Sequence, residues 1–126
     1  IMNTPAHLKY AKSDEWFDPQ SGKAGLSDYA QAQLSDIVFV ELLVEEGDTV
    51  EAGRAIASVE SVKASAEIYS PAAGTVTAVN KALSDKPETL NSDPYGEAWM
   101  IQLENGSAGD AMDGAAYEKY CEERAH

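Results

Sequence analysis

The clearest hydrophobic pattern in the chain is Ile37-Val38-Phe39-Val40-Glu41-Leu42-Leu43-Val44, rich in the β-branched and aromatic residues that suit a pleated surface. Period two puts Val38, Val40, Leu42 and Val44 on one face and Ile37, Phe39, Glu41 and Leu43 on the other. The all-aliphatic first face is expected to meet the core. Glu45-Glu46-Gly47-Asp48 then reads as a turn, Thr49-Val50 as a short strand and Glu51-Ala52-Gly53 as a second turn. Ala55 to Glu60 and Ala66 to Tyr69 read as two arms of a hairpin, and Thr75 to Val79 as a further strand.

Short strands separated by Gly and Pro turns predict a mainly β fold, a small sandwich or partly closed barrel. Gly47-Asp48-Thr49-Val50 and Gly74-Thr75-Val76 echo one another on either side of the hairpin, although Gly followed by Val is a common strand entry. Two helices complete the prediction. Ser27 can cap a helix from Asp28 to about Leu34, and Asp113 can cap one over Gly114 to Arg124. In the second, Tyr117, Tyr120 and Cys121 share a face, so Cys121 reads as a packed small side chain.

At the tip of the predicted hairpin stands Lys63, with Gly53 ten residues before it and Gly74 eleven after. Its neighbours Ser61, Val62, Ala64 and Ser65 are small or uncharged, so the amine is sterically free to be modified. An ordinary exposed turn lysine would look the same.

The surrounding motifs separate the two readings. Glu60-Ser61-Val62-Lys63-Ala64, then Tyr69-Ser70-Pro71-Ala72-Ala73-Gly74-Thr75-Val76 and Val79-Asn80, resemble the lipoyl-attachment region of the glycine cleavage system H protein family. The resemblance extends through Lys9-Tyr10, Glu15-Trp16, Gly25 to Gln31, Asp36 to Leu42, Asn91-Ser92-Asp93-Pro94-Tyr95-Gly96 and Trp99-Met100-Ile101, covering residues 8 to about 104. Biotin carriers share such a hairpin but usually place Met on both sides of the lysine, where Val62 and Ala64 stand here. Lipoyl domains of the 2-oxoacid dehydrogenases typically carry Asp-Lys-Ala and lack the Asn-Ser-Asp-Pro-Tyr-Gly segment.

The resemblance implies a single lipoyl-carrier domain over 1–126. It would be a lipoyl/biotinyl-type hammerhead barrel-sandwich hybrid with its core at about 36–80 and a C-terminal helix at about 113–124. It implies lipoate in amide linkage on Lys63, with Glu60, Ser61, Val62 and Ala64 forming the turn that a lipoate ligase or lipoyltransferase recognises. Glu60 could instead end its strand, and Ser61 could satisfy turn hydrogen bonds.

The implied role is a carrier, not an enzyme. It would shuttle the aminomethyl group of glycine from the pyridoxal-phosphate-dependent glycine decarboxylase to the tetrahydrofolate-dependent aminomethyltransferase. Dihydrolipoamide dehydrogenase would then reoxidise the arm. The family is thought to fold its loaded arm against the protein, and Ser13, Glu15 and Glu67 are the candidates for the polar side of that pocket, a carboxylate suiting a cationic amine. Solvated surface carboxylates are the plainer explanation for Glu15 and Glu67.

Three departures from the family pattern stand out. Asp14 replaces a usual His before Glu15-Trp16, the segment from Phe17 to Asp28 is shortened, and Ser35 occupies a common Gly position. They keep open an H-like protein that relays lipoate or serves another lipoate-dependent pathway, and an unmodified acidic interaction domain.

Composition narrows the partners. Nine Lys and Arg against 22 Asp and Glu leave a formal charge of −13, which disfavours nucleic acid and anionic membranes. One cysteine allows neither an intrachain disulfide nor a cysteine cluster, and His7 and His126 lie at opposite ends, so no metal site is expected. No run approaches the ~20 apolar residues of a membrane span, and Ile1 to Pro5 lacks signal-peptide architecture. A reducing compartment is expected, the bacterial cytoplasm or the mitochondrial matrix.

Overall fold

In the computed structural model, residues 3–124 are described; Ile1, Met2, Ala125 and His126, including one of the two histidines, lie outside the described residues. The alternating segment becomes β4 (Ile37–Leu42), which pairs antiparallel with β6 (Ala55–Ser61), itself paired with β7 (Ser65–Tyr69). A second sheet has the order β1 (Lys9–Tyr10), β2 (Glu15–Phe17), β3 (Lys23–Leu26), β9 (Ile101–Ser107), β8 (Ala73–Val79), β5 (Thr49–Val50). The fold is mainly β, as expected. The two echoing segments meet: Thr49 lies opposite Thr75 and Val50 opposite Gly74.

Val40, Val59 and Ile68 from the three-stranded sheet join Val50, Val76, Ile101 and Leu103 from the other in one buried cluster. Each such side chain contributes roughly 1.5–3 kcal/mol through its removal from water. Two single-turn helices, α2 (Ala82–Asp85) and α3 (Thr89–Ser92), add Leu83 and Leu90 to it.

The expected core face of β4 needs one correction. Ile37 lies opposite Ser61 and Phe39 opposite Glu60, so Val38 is an extra residue, a β-bulge that breaks the alternation. Ile37 and Val40 therefore both point inward, whereas Val38 is 56% exposed. Strand β9 is not among the expected elements: Ile101-Gln102-Leu103-Glu104 alternates, but its second half, Asn105-Gly106-Ser107, has turn composition. Its backbone is held by β3 on one side and β8 on the other.

The shortened segment after Trp16 still closes as the β2–β3 hairpin. Gly22 makes this possible: φ is +80°, and a Cβ there would lie 2.2 Å from the Leu103 carbonyl oxygen. Helix α1 (Asp28–Leu34) is capped by Ser27, whose Oγ accepts from the Ala30 amide at 3.2 Å. Helix α4 (Gly114–Arg124) is capped by Asp113, whose Oδ1 accepts from the Ala116 amide at 2.8 Å. Tyr117 and Cys121 from α4 pack with Leu8, Tyr10 and Trp16 in a second buried cluster.

Between α1 and β4, Ser35 adopts φ +65° and ψ −153°, a region that only glycine occupies without strain. Asn91 secures this turn: its Nδ2 donates to the Ser35 carbonyl at 2.9 Å and its Oδ1 accepts from the Ile37 amide at 2.9 Å. Ser35→Gly is expected to stabilise the protein by about 1 kcal/mol, relief of strain outweighing the extra chain entropy of glycine. The corresponding rise in Tm is roughly 3–5 °C for a chain of this size. Thermal unfolding of the variant would show it, and an unchanged or lower Tm would mean that the turn stores no usable strain.

Candidate functional site

Lys63 lies in the turn between β6 and β7, exposed to solvent together with Val62 and Ala64. Ser61 builds the turn. Its Oγ accepts from the Lys63 amide at 3.2 Å and the Ala64 amide at 3.0 Å and donates to the Ala64 carbonyl at 3.2 Å, while its own amide donates to the same carbonyl at 2.8 Å. The Val62 amide donates to the Asp36 carbonyl at 3.0 Å, tying the tip to the entry of β4. Among the described residues the only ion pair joins Arg124 to Asp14, so the Lys63 ammonium has no carboxylate partner there. The backbone of the tip is thus fixed while the amine is free.

The other candidate residues divide by face. Phe39, Glu60 and Ser65 form one cross-strand row, and Glu41, Ser58 and Glu67 the next. The intervening row, Val40, Val59 and Ala66, faces the core. Glu60 and Glu67 are therefore on the outer face of the hairpin sheet, both exposed.

Ser13 and Glu15 come together elsewhere, beside the end of β7. Glu15 is fully buried: Oε1 accepts from the Ser13 hydroxyl and Oε2 from the Tyr69 amide at 3.0 Å. Burial pushes its carboxyl up to about 7; the Ser13 and Tyr69 hydrogen bonds pull the other way, and the adjacent Asp14 charge adds to the rise. Glu15 is thus no solvated surface acid. Ser13 opens onto a cavity of about 230 Å³ that Lys12, Gly53, Ser70, Pro71 and Asp110 also line, while neither Glu15 nor Glu67 lines it.

Sequence reasoning missed what holds this turn. Asp14 has φ +81°, which brings Ser13 and Glu15 side by side, and its carboxylate is clasped by α4. Tyr117 Oη donates to Oδ1 at 2.8 Å; Arg124 Nη2 donates to Oδ1 at 2.5 Å and Nη1 to Oδ2 at 3.2 Å. The Arg124 guanidinium lies 4.1 Å from the Tyr120 ring centroid and 4.6 Å from that of Tyr29. A residue 110 positions away leaves no local signal for this pairing. No cluster of three or more His, Cys, Asp or Glu side chains among the described residues could hold a metal ion, and no helix there is long and apolar enough to cross a membrane.

The family model described as glycine cleavage H-protein matches residues 8–124. A glycine cleavage system H protein of Deinococcus radiodurans is 52% identical over 118 residues, covering 94% of this chain and 97% of that one. One from Xanthomonas oryzae pv. oryzae is 46% identical, with both chains covered in full. A crystal structure of a glycine cleavage system H protein from Mycobacterium marinum superposes with a TM-score of 0.81 at 30% identity, over 97% of this chain and 99% of that one. The chain therefore belongs to the glycine cleavage H-protein family, whose members are carrier proteins rather than enzymes.

Proposed function

We propose that this chain carries lipoate as an amide on Lys63 Nζ and serves as the aminomethyl carrier of glycine cleavage. The partners in this reading are the glycine decarboxylase, the aminomethyltransferase, the dihydrolipoamide dehydrogenase, and a lipoate ligase or lipoyltransferase that charges the lysine. The observation that carries it is the exposed Lys63 at the tip of a hairpin whose backbone is held by Ser61 and Asp36. The residues fit the group, because Lys63 is exposed between the exposed Val62 and Ala64 and pairs with no carboxylate among the described residues. When bound, lipoate supplies a redox-active dithiolane that accepts and releases the one-carbon unit.

The protein's own residues position, shield and release. Strand β7 leads from Ser65, two residues after Lys63, past Glu67 to Tyr69, whose amide Glu15 holds. An arm folded back along β7 would pass a carboxylate at Glu67 before reaching the Ser13–Glu15 pair. Glu15 titrates near neutrality. It can therefore take up the charge that favours a cationic amine without a large cost. In this form both of its oxygens have partners, so receiving such an amine requires displacing the Ser13 hydroxyl.

Incubation with lipoate, ATP and a lipoate ligase is expected to add one lipoyl mass, mapping to Lys63 by peptide analysis. Lys63→Arg should abolish the addition and leave stability within ±0.5 kcal/mol, since the side chain touches no core. An unchanged wild-type mass, with the ligase active on a control domain, would end this reading.

Glu15 carries a separate expectation about stability. Its folded pKa lies above the usual 4.5, so the folded state binds the proton more tightly than the unfolded chain. The resulting stabilisation is complete below about pH 4.5 and lost as pH rises to about 7. Relative to Glu15→Gln, which cannot titrate, the wild type should lose up to about 3 kcal/mol between pH 4 and pH 8. Urea unfolding of both proteins across that range tests it; parallel stability curves would show that Glu15 titrates as an ordinary carboxyl.

A further inference from the structure

Among the described residues four large hydrophobic side chains are conspicuously exposed, Val38, Phe39, Leu43 and Val62, and all belong to β4, its exit or the lysine turn. The β4 bulge puts Val38 outward beside Phe39, and the Val62–Asp36 hydrogen bond brings Val62 to the start of the same strand. Behind this apolar spot the outer rows of the sheet carry Glu41, Glu60 and Glu67, all exposed. Strands β4, β6 and β7 contain no Lys or Arg. Lys63 thus stands at an apolar strip bordered by carboxylates, and Lys81, from outside these strands, lines a cavity with Phe39 and Glu41.

We propose that this face, centred on Val38, Phe39 and Val62 and framed by Glu41 and Glu60, is the docking surface for the enzyme that acylates Lys63. That enzyme meets it with an apolar socket rimmed by Lys and Arg side chains. The inference rests on Lys63 being the attachment point and adds where the attaching enzyme binds. Partners that act on the far end of a long acyl arm can work at a distance from the hairpin. The enzyme that forms the amide cannot. Its active site must reach Nζ itself at the end of a four-carbon stem, so its surface must cover Val62 and the sheet face beside it. Desolvating the apolar strip supplies affinity, and the acidic border orients the encounter with a basic rim. A second copy of this chain fits poorly, because it would set carboxylates against carboxylates in a protein of net charge −13.

The test compares the full-length wild type, the double variant Val38→Ser/Phe39→Ser and Glu41→Lys as substrates of a lipoate ligase with lipoate and ATP. Acylation rates are followed by intact mass as the carrier concentration is varied. The substituted side chains are exposed, and thermal melts confirm that each variant is folded. The double variant is expected to raise KM about tenfold, the scale of losing a buried aromatic contact, with kcat within about twofold. Glu41→Lys should lower kcat/KM several-fold at low salt, an effect that shrinks as salt screens the border. Unchanged KM in both variants would overturn the proposal while leaving Lys63 as the acylated residue. Normal acylation of the double variant with loss of glycine-dependent loading would also overturn it, assigning the strip to the decarboxylase. So would concentration-dependent self-association of the wild type that the double variant abolishes. If the wild type is not acylated by a ligase active on a control domain, the reading of Lys63 falls and this inference with it.

Discussion

A single buried carboxylate joins the parts of this protein that bear on its chemistry. Glu15 lies on a strand of the six-stranded sheet, yet its Oε2 accepts from the amide of Tyr69 at the end of β7 in the three-stranded sheet. The lysine hairpin is thereby fastened to the N-terminal hairpin away from its own tip. An unpartnered carboxylate at that depth would be costly, several kcal/mol if charged. Two donors and a raised pKa reduce the cost, because the group can be neutral at little expense near pH 7. A glutamine could keep the Tyr69 bond only by donating to the Ser13 hydroxyl instead of accepting from it, and it could not change charge. The constraint propagates outward: Ser13 must approach Glu15, Asp14 must take positive φ to allow it, and α4 must supply Tyr117 and Arg124 to hold Asp14. The C-terminal helix, far from Lys63 in sequence, is thus part of what fixes the hairpin's base.

Features written in local chemistry were legible before any coordinates. The lysine turn, the Ser27 and Asp113 caps and the 49–50 strand each depend on a few adjacent residues, and each formed where expected. The serine at a usual glycine position was visible too, and its φ of +65° gives that departure a physical meaning. What failed was non-local. The Val38 bulge is a property of two strands in register, so alternation within β4 alone pointed that side chain inward. The second half of strand β9, Asn105-Gly106-Ser107, has turn composition, and its place in the sheet comes from pairing with β8.

The candidate site was legible unevenly for the same reason. Glu15 was singled out by resemblance, but neither its complete burial nor its Tyr69 partner, 54 residues away, has any trace in the local sequence. Ser13 and Glu15 were expected together and are hydrogen-bonded. Glu67 was grouped with them and instead occupies the solvent face of the hairpin sheet. The acidic count alone predicted repulsion from polyanions; only the strand register shows that three of those acids border an apolar strip beside Lys63.

The hairpin tip resolves two requirements that ordinarily conflict. A modifying enzyme benefits from a rigid target, because every backbone dihedral it must freeze subtracts from binding. A carrier arm benefits from freedom, because it must visit several active sites. Ser61 spends its hydroxyl entirely on the turn, accepting from two amides and donating to one carbonyl, and Asp36 fixes the amide of Val62. Rigidity therefore ends at the Lys63 Cα, and no carboxylate tethers the side chain beyond it. A charged partner within reach of Nζ would have been easy to place in a chain with 22 acids. Its absence among the described residues leaves the Lys63 side chain's rotamer entropy intact, the mobility that the proposed carrier arm requires.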